Sequence, residues 1–331
     1  MNGSIDLRTK VDFSNVKKKI NLQAIARGCE PLMSCILPDD GWVFCGSDLE
    51  SGEPTITAQY TQDPLVKYFA FEGEGKEPRY SDDGQTFMCN DPYLALAAVT
   101  PLGRPLVEKA MKEGIDGVPF GKFWISTQEP GKNCFLKKTR KIHKPFYLGL
   151  DYGLGWRTLR ANAAKEGVKL TEAEARGIHE AFWDMTPRKK AFKTLCEDKV
   201  ASQGYINNPF GFRGRPTPRN AFNFMIQSSV NPVVDILCQF WEAECEHDKR
   251  FTQPPRFFTL VHDEVIYQVR IEDVKCFKEC LDKALDRLRA LLKWNVPVRA
   301  GFAVARNLYL AKDGESREAL DDLGVDTSYL D

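Results

Sequence analysis

Two apolar arms, Phe257 to Val261 and Val265 to Val269, enclose the triplet His262-Asp263-Glu264. β-Branched and aromatic residues on either side of a short polar break predict a hairpin with charge at its tip. A second strand-like run, GWVFCGSD from Gly41 to Asp48, also stops at a carboxylate. It is followed by LESGEPTITAQYTQDP, in which Pro54 fits the first turn of a helix. Asp48 and Glu53 therefore lie at a strand-to-helix junction, where side chains open onto a cleft. Each acid also has a plain structural role open to it: Asp48 and Glu50 suit a helix cap, and Asp263 suits a turn. Both aspartates neighbour hydrophobic strand residues, where uncompensated charge is costly. A hard divalent cation bridging two carboxylates and a phosphate relieves that cost, and pairs of such ions activate an attacking oxygen and stabilise a leaving one.

The partner for such a phosphate is carried by Lys132 to Gly155. Six Lys or Arg residues fall between Lys132 and Lys144, with His143 among them and no acid before Asp151, and the run then turns aromatic and apolar. Arg140, Lys144, Leu148 and Tyr152 recur at i, i+4, i+8 and i+12, so a helix lines up two cations, an aliphatic and a phenol on one face. That face suits a polyphosphate at one end and a planar base at the other; a solvated basic helix is the plainer reading.

Bulk composition narrows the alternatives. With 46 basic and 46 acidic residues the net charge is zero, so affinity for a polyanion must come from local clusters. No apolar run is long enough to span a membrane, and the N-terminus lacks a secretory apolar region. Ten cysteines are scattered without a CxxC pair, and the four histidines are not spaced with them as zinc ligands; a reduced, cytoplasmic setting is expected. Cys276 and Cys280 sit at helix spacing, on what reads as a buried face.

Between these features, DPYLALAAV and LVEKAMKEGI read as helices, as does a long tract from Thr171 to about Ser202. Asn207 to Asn220 is a loop with three arginines and no acid. A long apolar helix follows, then the hairpin, a helix around Asp273 to Leu292, and a strand near Val296 to Phe302. The tail from Asp313 holds seven acids against one arginine and is expected to be mobile.

Taken in order, these features resemble the polymerase part of the family A DNA polymerases, the group of bacterial DNA polymerase I and its phage relatives. Asn21 to Ile25 (NLQAI) resembles the segment before the family's first catalytic strand. Asp48-Leu49-Glu50-Ser51-Gly52-Glu53 resembles motif A, DYSQIE. Arg140, Lys144, Leu148, Tyr152 and Gly153 resemble motif B, RxxxKxxxFxxxYG. Arg219, Asn223 and Gln227 resemble the R-x3-N-x3-Q face, and His262-Asp263-Glu264 is motif C as the family writes it.

The resemblance implies an α+β right-hand polymerase core, with an antiparallel palm sheet and α-rich fingers. The palm would take 1–65 and 203–312, and the fingers 66–202, with an insertion within about 73–132. It implies that Asp48, Asp263 and the carbonyl of Leu49 hold two Mg²⁺ (Mn²⁺ substituting), with Glu264 auxiliary. Arg140 and Lys144 would bind the triphosphate of an incoming deoxynucleotide, Lys144 protonating the pyrophosphate. Glu53 against Tyr152 would exclude a ribose 2′-OH. Arg213, Arg219, Asn223, Gln227 and His262 would contact primer–template DNA, in a minor groove whose acceptors barely distinguish base pairs. Departures are Leu148 at the aromatic position of motif B, Pro145 directly after Lys144, where a kink is expected, and a spacing of 92 residues between Asp48 and Arg140. Only 47 residues precede Asp48, so the thumb and exonuclease are expected to be absent, or supplied by a separate chain. Two alternatives stay open: a catalytically weak DNA-binding subunit of a replication complex, and a single-subunit RNA polymerase, against which Glu53 speaks.

Overall fold

The computed structural model describes residues 33–82, 84, 86–114, 135–165, 167–261, 263–311 and 314–330. The Asn21–Ile25 segment, His262, much of the expected insertion and the start of the basic run lie outside the described residues.

Strand β1 (Trp42–Asp48) opens on four apolar residues and is buried as far as Ser47, as suits a central strand, with Asp48 half-buried at its end. Helix α1 (Gly52–Thr61) begins after Ser51, which takes the left-handed conformation (φ 51°) and makes no side-chain cap. The cap reading of Asp48 and Glu50 is thereby corrected: Ser51 occupies the N-cap, and Glu50 instead pairs with Arg299 at 3.5 Å. Helix α2 (Pro64–Lys67) passes into a π-helical turn, Tyr68–Glu72. A short hairpin of β2 (Arg79–Tyr80) and β3 (Phe87–Met88) precedes α3 (Pro92–Val99) and α4 (Arg104–Glu113). Next come α5 (Phe135–Asp151), α6 (Trp156–Lys165), α7 (Glu172–Asp184) and α8 (Pro187–Gln203). The single tract expected from Thr171 to Ser202 is two helices. Pro187 lacks the N–H that would continue the first and takes the opening turn of the second.

The arginine loop contains a hairpin, β4 (Ile206–Asn207) with β5 (Arg213–Gly214), closed by Asn208, whose Oδ1 accepts from the N–H of Phe210 and Phe212. Helix α9 (Ala221–His247) follows, then β6 (Arg256–Val261) and β7 (Glu264–Arg270), α10 (Val274–Leu292), β8 (Ala303–Ala305) and α11 (Arg317–Asp322). The closing strand is β8, downstream of the expected Val296 to Phe302, because Val296 packs with Ala58, Val66 and Ala70.

The described residues form two compact units. The first takes 33–50, 231–293 and 298–330; the second takes 51–230 and 294–297. These boundaries differ from breaks at 65 and 203. Helix α1 and the arginine hairpin pack in the second unit, where Tyr60, Cys196, Ile206 and Met225 share one apolar cluster.

In the first unit the antiparallel sheet runs β6-β7-β1-β8. One face carries Phe44, Phe258 and Ile266 against the loop at Leu308 to Ala311. That loop comes so close that a Cβ on Gly46 would stand 2.6 Å from the Ala311 carbonyl oxygen. Elsewhere in the unit, Trp241 stacks on Phe277 at 4.3 Å and donates its indole N–H to the Phe277 carbonyl. In the tail, Ser316 caps α11, Leu320 and Val325 are buried, and Asp326 pairs with Lys275.

In the second unit, the helices from α3 to α7 share a core of Leu94, Phe146, Leu150, Ile178 and Phe182. Asp63 is fully buried and ties two helix starts together. Its Oδ1 accepts from the N–H of Leu65 and Val66, and its Oδ2 from those of Arg188 and Lys189. Beside it, Lys189 is buried to 1% exposure, lies over the rings of Tyr147 and Phe182, and forms an ion pair with Asp151 at the end of α5. Among the described residues no helix is long and apolar enough to cross a membrane. Breaking the buried pair with Lys189→Ala is expected to cost about 3–5 kcal/mol in urea unfolding, because Asp151, whose carboxyl burial already pushes up, loses the cation that offsets that cost. The double change Lys189→Met, Asp151→Leu is expected to cost markedly less; equal losses would show that the pair is not the cause.

Candidate active site

Chemistry-bearing residues gather in one set within each unit. In the first unit, the β1–β7 register places Asp48 directly opposite Glu264, and the β6–β7 register closes on Val261 opposite Glu264. Asp263 thus stands in a two-residue turn, next to the pair, at the same end of the sheet. Glu264 is buried, Asp48 and Asp263 are half-buried, and the Oδ1 atom of Asp48 is out of contact with solvent. Leu49 continues the chain in an isolated bridge with Ala300. On either side of it the carbonyl of Asp48 accepts from Gly301 at 2.9 Å and the N–H of Glu50 donates to Arg299 at 3.0 Å. Backbone groups alternate along an extended chain, so the carbonyl of Leu49 faces the opposite side, toward the hairpin. The result is a group of hard oxygen donors: three carboxylates and a carbonyl. Like charges directly opposite on adjacent strands repel, and such a donor set suits a hard cation rather than a soft metal.

In the second unit, α5 stays one continuous helix through Pro145. The lost donor leaves the Lys141 carbonyl on an exposed turn, where water can satisfy it. Arg140 and Lys144 keep a common face, lying over the same ring, Tyr93, at 4.8 and 5.7 Å. Arg140 also donates to the carboxylate of Asp91, whose other oxygen caps α3 through Tyr93 and Leu94. Neither Asp91 nor Tyr93 was singled out by sequence reasoning. Asp91-Pro92 reads as a helix start, and nothing in that dipeptide points to a residue 49 positions away.

Tyr152, just past α5, is a meeting point. Its hydroxyl donates to both oxygens of Glu53, at 3.1 and 3.0 Å, and the Gln227 side chain hydrogen-bonds the same phenol. Asn223 donates to Gln227 at 3.3 Å. Arg219 donates to the carbonyl of Gly153 at 2.8 Å. Gly153 takes φ 76°, and a Cβ there would press on the Arg219 backbone at 3.1 Å. Five residues picked from three separate motifs, Glu53, Tyr152, Arg219, Asn223 and Gln227, thus converge. Leu148 is half-buried on α5. Arg213 stays within its own hairpin, over Tyr205 at 4.4 Å and bonded to Asn207.

No family model matches this chain. Two curated proteins resemble it in sequence. The DNA polymerase of Escherichia phage T5 is 21% identical over 293 residues, 82% of this chain and 31% of that protein. DNA polymerase I of Aquifex aeolicus is 23% identical over 227 residues, 66% of this chain and 38% of that protein. The chain therefore spans about a third of the length of these relatives. Among solved structures, the POL domain of Pol1 from M. smegmatis, in complex with DNA primer–template and dNTP, superposes with a TM-score of 0.62 at 18% identity. The match covers 88% of this chain and 45% of that one. The fold is that of a polymerase domain, mixed α and antiparallel β, and the resemblance to the DNA polymerases of the polymerase I type read from the motifs holds.

Burial, then the Glu53 charge and hydrogen bond, push the Tyr152 phenol up to about 12. Because the folded value lies above the unfolded one of about 10, the contact contributes fully below pH 10 and is lost as pH rises from about 10 to about 12. The difference in tyrosinate absorbance between the wild type and Tyr152→Phe is expected to show Tyr152 still protonated one unit above the ordinary tyrosine value. Glu53→Gln is expected to lower its midpoint. An ordinary midpoint in the wild type would contradict the contact.

Proposed function

We propose that this chain performs template-directed DNA synthesis, adding deoxynucleotides to a primer 3′-OH with release of pyrophosphate. The observation that carries this reading is the end of the sheet, where Asp48 faces Glu264 beside Asp263. Crowded carboxylates with a carbonyl alongside are the donor set a pair of hard cations needs. Asp48, Asp263 and the Leu49 carbonyl would hold two Mg²⁺, whose chemistry is activation of the 3′-OH and stabilisation of the leaving pyrophosphate. Mn²⁺, with the same preference for oxygen, would substitute. Arg140 and Lys144 present two cations from one helix face, suited to a triphosphate, and Lys144 is the proton donor to the pyrophosphate oxygen. Glu53, held by Tyr152, excludes a 2′-OH by bulk and by having its acceptors already engaged. Arg219, Asn223 and Gln227 offer donors to minor-groove acceptors shared by all base pairs, which suits copying of any sequence. Arg213 would contact the phosphate backbone. Primer–template DNA and dNTPs are the partners this reading requires.

A second reading, DNA binding without synthesis, draws on one observation: the Arg140 guanidinium is already engaged by Asp91. On the first reading, a triphosphate displaces Asp91 as the partner of Arg140.

Primer extension by the purified chain in Mg²⁺ separates the two. Asp48→Asn and Asp263→Asn are each expected to slow incorporation by about 1,000-fold or more, roughly 4 kcal/mol of barrier, with DNA affinity retained. Glu53→Ala is expected to raise ribonucleotide use relative to deoxynucleotide use by about 10-fold or more. DNA binding with no incorporation by the wild type would select the second reading. Incorporation unaffected by Asp263→Asn would remove the metal assignment.

A further inference from the structure

The first unit holds a second cluster of metal-ligating side chains, and its chemistry is opposite to that at the sheet end. Cys245 lies in the last turn of α9 and Asp248 immediately follows that helix; Cys276 and Cys280 lie one turn apart at the start of α10. All three cysteines are free and buried. The ligand atoms of Asp248, Cys276 and Cys280 lie within 4.8 Å of one another. Cys245 joins them through a thiol hydrogen bond to Cys280, and Cys276 hydrogen-bonds Asp248. The group is thus one connected set of three sulfurs and a carboxylate, contributed pairwise by two helix ends.

We propose that Cys245, Cys276, Cys280 and Asp248 form a structural site for zinc, separate from the carboxylates at the end of the sheet. Thiolate-rich donor sets select zinc over hard cations, and closed sites with four protein ligands are structural rather than catalytic. With Zn–S bonds of about 2.3 Å, tetrahedral geometry sets sulfurs about 3.8 Å apart; Asp248, Cys276 and Cys280 already stand close together, and Cys245 completes the set by turning its side chain toward them. Binding releases the three thiol protons to solvent as the sulfurs take the ion. Three thiolates and one carboxylate outweigh a divalent ion, and nearby cations offset the excess. Arg250 donates to both oxygens of Asp248, at 3.0 and 2.7 Å, and Lys283 lies 3.9 Å from it. Arg250 is anchored in turn by Glu279 at 2.6 Å. A carboxylate has about four lone-pair positions, so Arg250 can hold Asp248 from one side while the ion takes another. A cavity of about 550 Å³, lined among others by Cys245, Asp248, Phe251 and Phe277, gives the ion a way in. Once bound, zinc joins the end of α9 to the start of α10, on either side of the segment that carries the β6 arm of the hairpin.

The spacing pattern explains why sequence inspection passes over the site. The ligands are a Cys-x2-Asp and a Cys-x3-Cys, without CxxC or histidine, and 27 residues separate Asp248 from Cys276.

The test uses the full chain, purified in reductant, stripped with chelator and titrated with Co²⁺ and then Zn²⁺. A thiolate-to-cobalt charge-transfer band saturating at one equivalent, and bleached by one equivalent of zinc, is expected. Cys276→Ser with Cys280→Ser should abolish it. Cys35→Ser and Asp263→Asn should leave it intact, the latter separating this site from the proposed Mg²⁺ carboxylates. Absence of the band at stoichiometric cobalt, or its survival in the double variant, would overturn the proposal. Should the double variant not fold, alkylation of the wild type decides. In urea sufficient to expose these thiols in the stripped protein, zinc should spare Cys245, Cys276 and Cys280 but not Cys35; equal labelling with and without zinc would overturn it.

Discussion

The register between β1 and β7 is the constraint on which the rest depends. It sets Asp48 against Glu264 and, through a two-residue turn, brings Asp263 to the same end of the sheet. A slip of one residue would turn Asp48 to the other face of the sheet, away from Glu264, so the pairing admits no neighbour in register. The apolar run of β1, buried from Trp42 to Ser47, fixes that pairing, and Gly46 allows the Ala311 carbonyl to close over it. Packing of β1 thus fixes where the three acids stand, and the proposed divalent-ion site depends on that placement.

The second unit solves a different problem, that of holding long polar side chains in fixed directions. Tyr93 serves as a common floor for Arg140 and Lys144, so that two flexible cations share one orientation. The far end of α5 is fixed by the Lys189–Asp151 pair, and the start of α8, which carries Lys189, is fixed by Asp63. Tyr152 follows directly from that anchored end and meets Glu53 and Gln227. The links join residues far apart in sequence, and Lys189 ties them to the apolar core by lying over Tyr147 and Phe182.

Much of this was legible in the amino-acid sequence, for physical reasons that also mark where reading stops. The hairpin around Asp263, the strand ending at Asp48 and the helix that carries Arg140 and leads into Tyr152 were readable because periodicity and turn chemistry act over a few residues. The split of the Thr171 tract at Pro187 could have been read from the proline alone. The position of β8 could not, because Val296 is drawn into a cluster with Ala58 and Val66 that no local pattern announces. The kink expected at Pro145 does not disturb the Arg140–Lys144 face, since the packing of Phe146 and Leu150 outweighs one lost hydrogen bond. Asp63, Asp91 and Tyr93 went unnoticed because their partners are distant in sequence. So did the thiol cluster, whose members look ordinary until two helix ends meet.

Whether the carboxylates at the end of the sheet hold divalent ions, as proposed, can be tested without any turnover. Electron paramagnetic resonance counts the Mn²⁺ retained by the chain in the presence of primer–template and a non-hydrolysable deoxynucleotide. Two ions per chain are expected in the wild type, the number a paired-metal site requires, and fewer in both Asp48→Asn and Asp263→Asn. An unchanged count in the two variants would contradict the proposed site.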